Sequence, residues 1–83
     1  MQQRIEEWRV VLAHAVGRDD IAGGVRVRFA GDPETAAAIA RLSAAEQACC
    51  SFFEFDLHIA ADELALDVRA PDEARELVTS LFG

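Results

Sequence analysis

Residues 55–69 read FDLHIAADELALDVR, and this stretch contains two short strands joined by a turn. Apolar and polar residues alternate over residues 55–60 and again over residues 64–69, which is the pattern of strands that each bury one face. A short turn at residues 62–63 joins them into an antiparallel hairpin. The register that brings apolar side chains together pairs Ile59 with Leu66, Leu57 with Val68, Asp56 with Arg69 and His58 with Asp67.

Four further elements precede and follow this hairpin. A helix is predicted at residues 3–16, ended by Gly17, then a loop at residues 18–24 and a strand at residues 25–29. A second helix spans residues 33–53, with Asp32 as its N-cap and Pro33 at its first position, and it should fray from residue 51. A third helix opens at Pro71. The apolar stripes of the first and third helices consist of Ile5, Trp8, Leu12, Ala15 and Val16, and of Ala74, Leu77, Val78, Leu81 and Phe82.

The element order α-β-α-β-β-α predicts a single α+β domain over residues 1–83. A right-handed crossover places the first two strands parallel, with the last strand between them. The expected architecture is a two-layer sandwich with a three-stranded, shortened ferredoxin-like (split β-α-β) sheet. Trp8 must be buried on this sheet or against a second subunit, so the first helix is a candidate dimerisation element and we expect a homo-oligomer.

Composition limits the classes of function. The 83 residues carry a formal net charge of −7 and a sequence pI near 4.6, so autonomous nucleic-acid binding is not expected, whereas a basic protein partner is electrostatically easier. No apolar segment is as long as a membrane span, and the acidic N-terminus is unlike a signal peptide. We therefore expect a cytoplasmic protein whose two cysteines remain thiols.

The second helix carries a carboxylate inside its apolar face. At about 100° per residue, one face holds Glu46 among Ile39, Leu42, Cys49, Cys50 and Phe53. Glu46 lies one turn before both cysteines, so the three side chains can meet. A buried, unpaired carboxylate is costly, and a proton, a hydrogen bond, a counter-ion or a metal is expected beside it.

Adjacent thiols next to a carboxylate predict a metal site formed by Cys49, Cys50 and Glu46. Thiolates bind soft ions such as Hg(II), As(III), Cu(I) and Zn(II). Two adjacent cysteines of a regular helix point about 100° apart, so either the helix end unwinds or a second subunit supplies further ligands. The spacing is not a zinc signature. One thiol should lie deeper than the other.

Each of these residues also has a purely structural interpretation. Free cysteine is a common small core residue, and Glu46 can reach solvent or cap a backbone N–H. His58 is expected to form a surface pair with Asp67, and His14 to be solvated, so neither makes a Cys–His pair. Phe52 either shields the thiols or forms a contact surface.

The segment Glu46-Gln47-Ala48-Cys49-Cys50-Ser51-Phe52-Phe53 resembles the motif E-x-x-C-C-P-F-F/L of small bacterial proteins. The same motif occurs in C-terminal extensions of some MerR-type metal-responsive regulators. The resemblance implies a soft-metal or thiol-dependent function that uses Glu46, Cys49 and Cys50. Here Ser51 stands where proline is usual, and the helix-turn-helix of such regulators is absent from the sequence.

Three functions compete on these observations. The first is a non-enzymatic binding protein for a thiophilic metal or metalloid ion, accessory to metal sensing or resistance. The second is an interaction or dimerisation module with buried structural cysteines. The third is a thiol redox protein, which is weakened because the sequence places neither a base nor a cation beside the cysteines.

Overall fold

The computed structural model describes residues 2–82, so Met1 and Gly83, the ends of the predicted single domain, lie outside the described residues. It forms an α+β domain in which three helices lie on one face of a four-stranded antiparallel sheet. In chain order the elements are α1 (Gln2–Leu12), β1 (Ala15–Ile21), β2 (Gly24–Phe29), α2 (Pro33–Cys49), β3 (Glu54–Ala60), β4 (Glu63–Arg69), a 3₁₀ turn (Asp72–Ala74) and α3 (Arg75–Phe82).

The sheet confirms the split β-α-β arrangement and adds a strand to it. Its order is β1-β2-β4-β3, with the last strand of the chain between β2 and β3. Because β4 is antiparallel to both neighbours, β2 and β3 are parallel and α2 is the crossover between them. The prediction of a three-stranded sheet was wrong in its count, because β1 forms a fourth strand at the edge.

The strand β1 replaces the end of the predicted first helix and most of the predicted loop. α1 stops at Leu12, and residues 15–21 pair with β2 through a two-residue turn at residues 22–23. Gly23 has a φ of 83°, a conformation that suits glycine and allows this tight turn. The Arg28 side chain donates to Asp19 at 2.8 Å across the pair, which links β1 to β2 on the outer face of the sheet.

The β3–β4 hairpin has the predicted faces but a different register. Leu57 lies opposite Leu66 and Ile59 opposite Leu64, whereas Leu66 was the predicted partner of Ile59. The turn occupies residues 61–62, one position earlier than predicted, so every pair shifts by two residues. His58 accordingly faces Ala65 rather than Asp67, and Asp56 faces Asp67. A shift of two preserves the side of the sheet on which each side chain lies.

The core lies between the helices and the inner face of the sheet. Its largest fully buried side chains come from every layer: Trp8, Phe82, Ile39, Leu42, Leu64, Leu66, Val27, Val68 and Val78. Trp8 is 1% exposed within its own chain, in edge-to-face contact with Phe82 at 4.9 Å between ring centroids. The indole is therefore buried without a second subunit. Self-association through α1 stays a prediction, but the need to bury Trp8 no longer supports it.

The outer face of the sheet carries charged side chains, as predicted. Arg26 donates from Nε and Nη2 to the two carboxylate oxygens of Asp67, at 2.7 and 2.9 Å. Arg69 bridges Asp67 and Asp56, at 3.4 and 2.8 Å. The Arg26 guanidinium lowers the pKa of Asp67, against the opposing effect of burial. Within residues 2–82, no helix combines the length and the apolar character that a membrane crossing requires.

Candidate functional site

Helix α2 begins as predicted and ends earlier than predicted. Its N-cap is Asp32, whose side chain accepts from the Thr35 backbone N–H at 3.2 Å, and Pro33 starts the helix. The last helical residue is Cys49, and Cys50 is the C-cap, with φ −128° and ψ 85°. The prediction that the helix continues to Phe53 was wrong. No proline is needed for this stop, because the backbone leaves the helical conformation at Cys50 itself.

The two thiols are consequently not held at regular helical spacing. Cys49 projects from the last turn of α2 and is exposed, whereas Cys50 lies outside the helix and is half-buried. Burial raises the pKa of the Cys50 thiol, and the neighbouring Cys49 and Glu46 side chains raise it further through their charges and hydrogen bonds. The thiols are thus neighbours of different depth, which confirms the predicted inequality.

Glu46 lies in the helix layer and is 7% exposed. Its Oε1 accepts from Arg4 Nε at 3.0 Å and from Trp8 Nε1 at 3.1 Å. A counter-ion and a hydrogen bond, two of the four partners expected for this carboxylate, are therefore present. Both come from α1, so Glu46 ties the first helix of the chain to the end of α2 that carries the thiols.

Arg4 is the residue of this site that sequence reasoning missed. Its pKa is raised first by the hydrogen bond to Glu46 and further by the charge of that carboxylate. Because Glu46 precedes Cys49 by one helical turn, the salt bridge from Arg4 to Glu46 places a cation near the exposed thiol, 45 positions away in sequence. Spacing along one helix cannot reveal such a partner; only the packing of α1 against α2 brings it there.

The three predicted metal ligands lie in one region of the molecule. Cys49 is the last residue of α2, Cys50 caps it, and Glu46 lies one helical turn before them. Among the described residues, no group of three or more His, Cys, Asp or Glu side chains is arranged to hold a metal ion. A metal centre formed by Cys49, Cys50 and Glu46 therefore stays a prediction.

The sequence analysis also considered Phe52, His14 and His58, of which only Phe52 belongs to the segment that follows the cysteines. Phe52 is 43% exposed and its ring lies 4.9 Å from that of Phe53, which belongs to the core. Gln47 donates to the carbonyls of Ser51 and Phe53, at 3.1 and 3.2 Å, and so fixes the loop that follows the cysteines. His14 and His58 are both exposed.

Comparisons with protein-family models, with curated proteins and with solved structures found no match. The resemblance to the E-x-x-C-C motif of small bacterial proteins and MerR-type extensions therefore stays a prediction from the sequence.

Proposed function

We propose that this protein binds a thiophilic metal or metalloid ion through the vicinal thiols of Cys49 and Cys50. The observation that carries the proposal is the end of α2 between the two cysteines, which frees Cys50 from helical geometry while Cys49 remains exposed. Soft ions such as Hg(II) and Cu(I) accept two thiolates, and As(III) can take a third thiol from solution.

In this proposal Glu46 positions the thiols by joining α1 to the end of α2. Arg4 and Trp8 both donate to its Oε1, which fixes the carboxylate and neutralises part of its charge. Its carboxylate lies one helical turn before both cysteines, where it orients the thiols and any ion that they bind.

The experiment is calorimetric titration of the reduced protein with Hg(II), Cu(I), As(III) and Zn(II), with native mass spectrometry to count bound ions. Replacing either cysteine by serine exchanges a soft thiolate for a hard hydroxyl of similar size. Cys49→Ser and Cys50→Ser should each lose more affinity than the roughly 10- to 100-fold that removal of an outer partner costs. Wild type that binds no ion more tightly than Cys50→Ser would overturn the proposal.

A control variant separates ligation from folding. Ser51→Ala changes an exposed neighbour of the same loop and leaves both thiols in place. It should bind the ion as wild type does. Circular dichroism should show the same fold for all four proteins, since Cys49 is exposed and Cys50 half-buried.

A redox function is the second candidate, because Arg4, bound to Glu46 one turn before Cys49, supplies a cation that the sequence did not place there. In that reaction the two thiols exchange with an oxidised dithiol, forming one S–S bond and transferring two electrons and two protons to the partner disulfide. Mass spectrometry after incubation with oxidised glutathione would detect the loss of two hydrogens. A module with buried structural cysteines is disfavoured by the exposure of Cys49.

A further inference from the structure

Strand β3 ends the sheet, and no strand within residues 2–82 pairs with its outer edge. Its seven residues, Glu54–Ala60, pair with β4 without a bulge. The strand contains no proline, and its two carboxylates, Glu54 and Asp56, are separated by Phe55 instead of following one another. A regular, unprotected edge is a template for another strand.

The opposite edge of the same sheet is protected. The register of β1 shifts between Ala15 and Gly17, and Arg18, Asp19 and Asp20 follow in direct succession. A local irregularity and consecutive charges both disfavour pairing with a further strand. The β1 edge therefore disfavours pairing with a further strand, whereas the β3 edge is suited to it.

An uncovered apolar surface borders the β3 edge. A groove of about 560 Å³ runs between the first half of α2 and β3. Ile59 lines it and is 66% exposed, in a protein whose other inward-facing strand residues are mostly covered. On the helix side, the groove is lined by small side chains, Ala36, Ala37 and Ala40, which allow a close approach.

The sequence of β3 is complementary to itself. In an antiparallel pair centred on Leu57, each Phe55 lies opposite Ile59 of the second copy, and each Asp56 lies opposite His58 of the second copy. Apolar side chains then meet on the inner face, where Ile59 gains cover. On the outer face, a carboxylate meets an imidazole at two symmetric positions.

We propose that β3 pairs with β3 of a second copy of this chain about a two-fold axis at Leu57. The product is a continuous eight-stranded sheet, four strands from each copy, with the two α2 helices side by side over the interface. The interface is isologous and closed, so it yields a dimer rather than a filament. Each copy carries a net charge of −7, so salt should strengthen the dimer by screening repulsion.

Sedimentation velocity over a concentration series, under reducing conditions, tests the interface. Ile59→Lys places a charge opposite Phe55 of the second copy and should raise the dimer dissociation constant by at least about tenfold. Val16→Lys is the matched control, because Val16 is 64% exposed on the protected edge strand β1, and it should dimerise as wild type does. Val10→Lys, on the exposed side of α1, should also dimerise.

Cross-linking tests the register. In a background with both native cysteines replaced by serine, Leu57→Cys brings two equivalent Cα atoms within about 4.5–5.5 Å, a separation that a disulfide bridges. It should yield a covalent dimer on mild oxidation. Ala60→Cys, which the proposed register places opposite Glu54 of the second copy, should not.

Three results would overturn the proposal: wild type that stays monomeric over the whole series, dissociation caused by Val16→Lys or Val10→Lys but not by Ile59→Lys, or equal cross-linking at residues 57 and 60. Because Ile59 lies away from the thiols, ion binding by Ile59→Lys should equal that of wild type. Failure of the dimer is thereby distinguishable from failure of ion binding.

Discussion

Glu46 and Asp67 are both carboxylates with less than a tenth of their surface exposed, and both pair with arginine, but their surroundings differ. Asp67, on the outer face of the sheet, has donors on both oxygens, from Arg26 and Arg69. Glu46, in the helix layer, receives Arg4 and Trp8 on Oε1 and lies one helical turn before Cys49. A carboxylate whose two oxygens are both bonded holds strands together. Glu46 instead joins α1 to the end of α2 that carries the thiols, which is why the proposed function includes it.

Among the substitutions that test this comparison, removal of Trp8 should have the largest effect on stability. Trp8→Ala empties the centre of the core and deprives Glu46 of one donor, so unfolding should become easier by about 3–5 kcal/mol. Urea denaturation followed by circular dichroism measures this. Val10→Ala, on the same helix and 64% exposed, should change stability by no more than about 0.5 kcal/mol. Equal losses in the two variants would contradict the buried position of the indole.

Asp67→Asn should cost about 1–2 kcal/mol, the lower part of the range for charged hydrogen bonds, because Arg26 remains partly exposed and water screens the pair. The folded-state pKa of Asp67 is lowered, so its stabilisation is present above the unfolded-state value of about 3.9 and is lost as pH falls through the folded-state pKa. The difference between wild type and variant in urea denaturation should therefore be constant near neutral pH and shrink below about pH 4. A difference that grows on acidification would refute this sign.

Glu46→Gln should change ion affinity rather than only stability. The amide keeps the shape of the side chain but loses the charge that pairs with Arg4, so affinity for a thiophilic ion should change by about tenfold or more. Asp67→Asn is the matched control on the other face of the sheet and should bind as wild type does. Calorimetric titration of both variants decides whether the two carboxylates differ as proposed. Identical affinities would make Glu46 a structural residue.

Ser43 should have the smallest effect. It lies on the buried side of α2, one turn before Glu46, and its hydroxyl has no hydrogen-bond partner among the described residues. Ser43→Ala removes a buried polar atom without breaking a bond, so stability should stay the same or rise by up to about 1 kcal/mol. A loss above that size in urea denaturation would show that the hydroxyl has a partner.

The elements that could be predicted are those whose structure is determined by residues close together in the sequence. The start of α2 follows from Asp32 and Pro33, and the inner faces of β2, β3 and β4 follow from strict alternation. β1 could not be found in this way, because Arg18, Asp19 and Asp20 give it no alternation and the helical spacing of α1 continues into Ala15 and Val16. Its structure comes from pairing with β2, which is tertiary context.

The candidate site divides in the same way. Helical spacing predicted that Glu46 lies buried near the two cysteines, and that one thiol is deeper than the other. It could not identify Arg4, which comes from another helix, nor the backbone of Cys50, which leaves the helix without a proline. The register error in the hairpin comes from the turn. Moving the turn by one position changes the partner of every residue in the hairpin by two.

The last strand of the chain lies in the middle of the sheet, and this position governs how the chain can fold. Before β4 is in place, the β1–β2 hairpin and β3 have no common neighbour. Pairs such as Arg26 with Asp67 close a loop of 41 positions, and contacts so distant in sequence slow folding. During synthesis both cysteines emerge before β4 does, so the thiols precede the sheet that positions them. A chain shortened before residue 63 should lose the sheet as a whole instead of fraying at one edge.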